Sequence, residues 1–258
     1  MELLNTLIFP FVLILLFMLA VFIISLIKKD NSIVDVFWGI GFILISVASL
    51  FIGGSFYDRQ TLVSGMVVVW GIRLASHIYL RNLGRGEDFR YKKWRKEWRK
   101  FFAVRSFLQI YMFQGFLLFA ISLPVTIVNA NGNNALGFVD AVGYLVWLFG
   151  FLFEAVGDFQ LLRFRKDPGN KEKILNRGLW KYSRHPNYFG EATLWWGIYL
   201  MAISVPYGKF AIVSPILVTF LLLRVSGVKL LEKKYKGNLK YLAYKRRTSA
   251  FIPWFNKK

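Results

Sequence analysis

The sequence predicts an all-α integral membrane protein of about seven transmembrane helices. Three observations carry that expectation. The 258 residues are 56% hydrophobic and 18% aromatic, with a mean hydropathy of +0.45, more apolar than a soluble domain of this size. The apolar residues come in runs close to the ~20 residues that cross a bilayer. The charge, a net +20, lies between those runs. Inside a bilayer such runs must be helices, because backbone groups find partners there only within the segment or in a closed barrel. Their continuous apolarity excludes barrel strands.

The first run, at about 5–27, has no small-residue cleavage site after its apolar core and reads as a true span rather than a removed signal peptide. The second, 33–53, opens with IVDVFWG and carries Asp35. The third, 61–80, holds Arg73 and His77, four apart and so on one face. The fourth, 106–128, has only Gln109 and Gln114 as long polar side chains. The fifth, 138–159, holds Glu154 and Asp158 at the same four-residue spacing, the sixth, 188–206, holds Glu191, and the seventh covers 210–226. Between the third and fourth runs, WRKEWRKFF predicts a short amphipathic helix along the headgroups, with Trp94, Trp98, Phe101 and Phe102 near one face.

Lysine and arginine set the orientation. Segments 81–105 and 163–184, the pair Lys28–Lys29 and the tail 224–258 hold 31 of the 34 basic residues. The segments SFYDRQ, NANGNN and VPYGK on the other side are short and nearly neutral. The N-terminus is therefore expected outside and the C-terminus in the cytoplasm. There is no repeat or linker, so residues 1–258 read as one multispanning domain, with 1–30 as a first helix before the rest.

Several functions are excluded. The absence of Cys removes disulfides and thiolate metal sites, and two distant histidines, His77 and His185, argue against a metal centre. The basic charge lies on membrane-edge loops, so nucleic acid is not the expected partner. No dinucleotide or P-loop fingerprint occurs. RNLGRGED after the third run contains two glycines around an arginine, which read as a helix stop or as a close backbone approach to a phosphate.

Charges within a membrane are costly and mark functional sites or paired contacts. Asp35, Arg73, His77, Glu154, Asp158 and Glu191 all fall in the cytoplasmic halves of their runs under the predicted topology. One reading pairs them across helices, as Arg73 with Glu154. The other gathers them around a cavity open to the cytoplasm and rimmed by Arg and Lys, suited to an anionic ligand. The stretch YSRHPNYFGE, 182–191, concentrates Tyr182, Arg184, His185, Asn187, Tyr188 and Glu191 in ten residues.

GLWKYSRHPNYFGEATLWWGIYL and, downstream, LEKKYKGNLKYLAYKRRTSAFIP resemble the C-terminal region of the steroid 5-alpha-reductase family, most closely its bacterial relatives of unassigned substrate. WGIRLASHIYLRNLGRGEDFRY and FEAVGDFQLLRFRKDPGNK resemble the same relatives, so the likeness covers about 30–255. A shorter RHPxY pattern is shared with isoprenylcysteine carboxyl methyltransferases and sterol C14-type reductases. The resemblance implies a seven-helix fold in a bacterial inner membrane, binding NADPH from the cytoplasm. It implies hydride transfer to a C=C conjugated to a ketone in a steroid-like or other lipid-soluble substrate, with membrane lipids around the protein and no metal. Asn82 and Arg85 then match cofactor contacts, Asp158 and Arg165 groups around the adenosine, Asn187 a group near the nicotinamide, and Glu191 the acid one turn later. Arg184 is expected at phosphate, Tyr182 or Tyr188 to stack or donate, with Arg73 and His185 completing the cofactor set. The Gln-Glu pair of the steroid enzymes is absent from the N-terminal half; Asp35 and Trp38 occupy a comparable region. His77 or Tyr79, oriented by Asp35, is the expected catalytic donor. An S-adenosylmethionine-dependent lipid or isoprenoid methyltransferase is the alternative.

Overall fold

A computed structural model describes residues 2–131, 135–171, 173–233, 235 and 237–256, with side chains from residue 7 onward. The described residues are helical, and they divide into two compact units: 1–137 with 202–213, and 138–201 with 214–258. The NANGNN turn lies partly outside the described residues.

In the first unit, helices α1 (Glu2–Lys28), α2 (Ile33–Gly53) and α3 (Asp58–Asn82) run in short-looped succession. Gly54, at φ 67°, closes α2 by donating its N–H to the Leu50 carbonyl, a left-handed helix stop that suits a residue without Cβ. Helix α4 (Phe89–Trp98) follows, capped by the Asp88 carboxylate, which accepts from the Arg90 N–H. The chain continues through the short α5 (Phe102–Arg105) and a wider π-type stretch, Ser106–Met112, into α6 (Phe113–Ala130). Helices α1, α2, α3 and α6 pack as a bundle. At its heart Gly39 and Gly71 let α2 and α3 touch backbone to backbone: a Cβ built on Gly39 would lie 2.6 Å from the Gly71 carbonyl oxygen. Such close approach through small residues is how helices associate without a hydrophobic drive between them.

In the second unit the long helix α7 (Phe138–Lys166) is followed by irregular turns, then α8 (Pro186–Ala202), the short α9 (Val213–Phe220), α10 (Val228–Lys233) and α11 (Leu239–Arg247). α7 and α8 run antiparallel along a glycine seam. Gly143 meets Gly197, Gly150 meets Gly190, and Gly157 meets the backbone of Asn187. The glycines recur every seven residues on both helices, which keeps them on one face.

Six helical segments among the described residues are long and apolar enough to cross a membrane: Leu7–Lys28, Ile33–Gly53, Asp58–Asn82, Phe89–Ala130, Phe138–Lys166 and Gly208–Lys233. The expected sixth span, 188–206, is instead the 17-residue α8. At 1.5 Å per residue it is about 26 Å long, against a hydrocarbon layer of about 30 Å. Large apolar side chains cover the outside of the long helices, among them Leu16, Ile72, Leu145 and Phe149, as expected where the solvent is lipid and not water.

The amphipathic helix forms where expected, with one correction. Trp94 stacks on Trp98 at 5.3 Å, Trp98 meets Phe102 at 6.1 Å, and Tyr91 extends the stripe at 5.5 Å from Trp94. Phe101 leaves that face and is exposed. The cause is local: Arg99 adopts φ 44° and breaks the helical register.

Candidate functional site

In the first unit the polar residues at the start of α2 and the segment before α4 close on each other. Asp35 accepts from Arg90 Nη2 at 2.7 Å and from the Tyr91 hydroxyl at 2.8 Å. Arg90 also donates through Nε to Asp88 at 2.9 Å. Glu87 takes both Nε and Nη2 of Arg95, at 3.1 and 2.7 Å, and the Asn31 N–H at 3.0 Å. The Asn31 side chain donates to Ser106 and accepts from Tyr111. Bidentate and charge-assisted bonds of this kind are the stronger ones. They strap the α1–α2 turn to the chain entering α4.

The two Asp35 oxygens, expected to orient His77 or Tyr79, are held by Arg90 and Tyr91. Tyr79 is 54% exposed, and Arg73 and His77 are half-buried one turn apart on α3. Asn82 and Arg85 lie on one tight turn: the Arg85 N–H donates to the Asn82 carbonyl at 2.9 Å, with Leu83 at φ −56°, ψ 129° and Gly84 at φ 72°. That is a type II turn, which requires a positive φ at its third residue. Gly84 is thus explained by the turn itself, and it leaves the Arg85 side chain exposed.

The second unit gathers most of the YSRHPNYFGE residues. Pro186 starts α8, its missing N–H costing nothing at a helix start. One turn into the seam, Asn187 Nδ2 donates to Asp158 Oδ1 on α7 at 3.0 Å. The absence of a side chain at Gly157 permits the approach, since a Cβ there would sit 3.1 Å from the Asn187 nitrogen. Asn187 Oδ1 is buried and has no hydrogen-bond partner among the described residues. The Tyr188 ring lies flat on His185, centroids 5.5 Å apart and planes 3° from parallel. Glu191 is half-buried one turn further along α8. Arg165 is exposed two turns beyond Asp158, about 10 Å along the axis.

Arg184, expected to meet phosphate, is engaged elsewhere. Its Nε donates to Glu232 Oε1 at 2.8 Å, its Nη2 pairs with the same oxygen at 2.8 Å, and its Nη1 donates to the carbonyls of Lys245 and Thr248 at 3.0 and 2.5 Å. Lys245 Nζ holds the other Glu232 oxygen at 2.5 Å. Arg184, only 8% exposed, is a strut between the RHP turn and the tail. Ser183 adds a bond to the Phe251 carbonyl, and the Arg184 N–H one to Ser249. Tyr182 belongs to the same junction: its carbonyl accepts from the Trp254 N–H, and its ring meets Phe255 edge-on. Tyr244 donates to the Trp180 carbonyl. Burial pushes the Tyr244 and Tyr241 hydroxyls well above the ordinary phenol range, so both stay neutral. His185 Nε2 has no hydrogen bond among the described residues, and Glu232 Oε1 lies 3.7 Å from it, an ion-pair distance when the imidazole is protonated.

Sequence reasoning missed Glu232, although it is the single acid of a tail carrying eleven basic residues. It also missed the glycine seam, although Gly143, Gly150 and Gly157 stand seven apart in plain view. No group of three or more His, Cys, Asp or Glu residues positioned to hold a metal ion occurs among the described residues.

The model of the family described as "Protein of unknown function (DUF1295)" matches residues 21–248. An uncharacterized protein of Schizosaccharomyces pombe is 27% identical over 202 residues, 69% of this chain and 59% of the relative. The 3-oxo-5-alpha-steroid 4-dehydrogenase 1 proteins of Homo sapiens and Macaca fascicularis are each 37% identical over 70 residues, 27% of this chain and 27% of theirs. The matched stretches span 59% of the S. pombe relative and 27% of each dehydrogenase, less than two thirds of any of them. No solved structure matches.

Proposed function

The chain belongs to that family, and from this premise we propose that it is a membrane-embedded reductase that uses NADPH to saturate a C=C conjugated to a ketone in a steroid-like or other lipid. The chemistry is taken from the two dehydrogenase relatives, whose name specifies a 3-oxo steroid. The observation that supports it here is the unfilled acceptor Asn187 Oδ1, buried beside Asp158 at the α7–α8 seam. A buried carbonyl without a donor is costly, and a carboxamide N–H or a ribose hydroxyl of a dinucleotide supplies one.

The residues present fit such a group. Asn187 and Asp158, already joined, meet a ligand as one unit and so contact the same portion of it. The Tyr188–His185 pair is a flat aromatic surface next to them. Arg165 offers a cation at the end of α7, and Asn82 and Arg85 remain cofactor candidates in the first unit. When bound, NADPH supplies the hydride. The chain's own task is to align the substrate, exclude water and give a donor to the carbonyl oxygen as charge develops on it, worth roughly 3–4 kcal/mol. His77 and Tyr79 are the donors proposed for that task. Asp35 is left out, because Arg90 and Tyr91 hold it. The basic segments 81–105 and 163–184 are assigned to the cytoplasmic side, where NADPH is available.

Calorimetry on the detergent-purified full chain with NADPH, NADH and S-adenosylmethionine tests the reading. NADPH is expected to bind, and Asn187→Ala to abolish that binding. Binding of S-adenosylmethionine alone would transfer the chain to methyl transfer. Undiminished NADPH binding by Asn187→Ala would remove Asn187 from the cofactor contacts.

A further inference from the structure

The second unit contains a cavity of about 770 Å³ where α7 leaves the apolar region. Val156, Phe159, Phe164 and Leu175 give it an apolar wall, and Arg163 and Arg177 stand at its edge. The other polar residues that line it are engaged internally. Gln160 Oε1 accepts the Leu179 N–H at 3.0 Å. Asp167 accepts from the Gly169 N–H and from Asn170 Nδ2, and the same Asn170 amide reaches the Phe164 carbonyl. The two guanidiniums differ: both are exposed, and neither has a hydrogen bond or ion pair with another described residue.

The cavity continues the outer face of α7. Leu145, Phe149, Leu152, Val156 and Phe159 are exposed and recur at alternating steps of four and three, which is one stripe of a helix. Arg163 is the next position on that stripe, and Val156 and Phe159 belong to both stripe and cavity. An occupant therefore meets a long apolar track ending at two cations. A soluble phosphate would use only the cations. A double-chained amphiphile with an anionic head uses the whole surface, with acyl chains along α7 and phosphate between the guanidiniums, whose planar forks suit phosphate oxygens.

We infer that the Arg163–Arg177 cavity is a binding site for an anionic phospholipid, seated with its acyl chains against the α7 stripe. Neither Asn187 nor Asp158 lines it, and the inference does not depend on the reductase reading.

Native mass spectrometry of the full chain, released from detergent with added lipid, tests it. Phosphatidylglycerol is expected to stay bound at least about tenfold better than phosphatidylcholine of the same chain length. Arg163→Gln with Arg177→Gln is expected to erase that preference, and Phe159→Gln to weaken lipid retention. Glycerol 3-phosphate, the head without chains, is expected to compete poorly. Equal retention of the two lipids, an unchanged preference in the double variant, or glycerol 3-phosphate binding as tightly as the lipid would each overturn the proposal. Displacement of the lipid by NADPH would overturn it too, by giving the cavity to the cofactor. Should the double variant fail to fold, the lipid and headgroup comparisons on the unaltered chain still decide. Loss of the lipid site with NADPH binding intact separates this inference from the function proposed above.

Discussion

Around Asp35, carboxylates and arginines close on one another: both Asp35 oxygens, both Glu87 oxygens and the Asn31 amide have partners. Around Asn187 the polar groups are as buried, yet Asn187 Oδ1 and His185 Nε2 have no hydrogen bond among the described residues. The first cluster is complete without a ligand and acts as a strap. The second is incomplete and has capacity for one. Burial of polar side chains therefore does not separate the two clusters; unfilled hydrogen-bonding capacity does. Arg184 and Glu232, next to the second cluster, behave like the first and act as scaffold.

The largest expected effect comes from breaking that scaffold. Glu232→Ala leaves Arg184 buried and uncompensated, and a loss of about 3–5 kcal/mol is expected in thermal unfolding of the detergent-solubilised chain. Asp35→Asn keeps a hydrogen-bond acceptor for Arg90, which retains Asp88, so about 1 kcal/mol is expected there. Equal losses at the two positions would erase the distinction between them.

Next in size is the glycine seam. A Cβ at Gly190 would lie 2.4 Å from the Glu154 backbone nitrogen, and Gly190→Ala is expected to cost about 1–3 kcal/mol because backbone cannot step aside. Gly65 has nothing within 4 Å of its Cβ position. Gly65→Ala in α3 should leave stability unchanged or raise it by up to about 1 kcal/mol. A neutral Gly190→Ala would show that the seam does not set the α7–α8 distance.

A functional comparison sharpens the same point. Asp35→Asn is expected to leave NADPH affinity intact while Asn187→Ala abolishes it, read by calorimetry on both variants. The reverse pattern would make the strap the site.

The smallest effect is alkaline. Tyr244 is raised above its ordinary value of 10.0 by burial, so folding favours the neutral phenol. Stability from this group is full below pH 10 and declines as pH rises through the higher folded value. Tyr244→Phe should flatten the decline, measured as tryptic cleavage of the tail against pH. An unchanged alkaline profile would assign the decline to other groups.

Much of the architecture is legible along the chain. Run length and apolarity place α1, α2, α3 and α7, because a segment in lipid has to satisfy its own backbone. Periodicity placed the aromatic stripe of α4, and failed only at Phe101, where Arg99 turns the chain out of register. The composition of 182–191 pointed to a dense polar cluster, yet it could not separate Arg184 from Asn187. That difference rests on Glu232, Lys245 and Thr248, some fifty to sixty residues downstream.

By itself the sequence determined a helical chain with membrane-length segments and basic connections. These follow from local composition and spacing. Only the tertiary structure decided that Asp35 is bound by Arg90, that Arg184 is a strut, that Asn187 Oδ1 has no hydrogen bond among the described residues, and that Arg163 and Arg177 share a cavity. Each of these is a matter of which residues distant in the chain come together, and that is fixed when segments pack rather than by anything within a single segment.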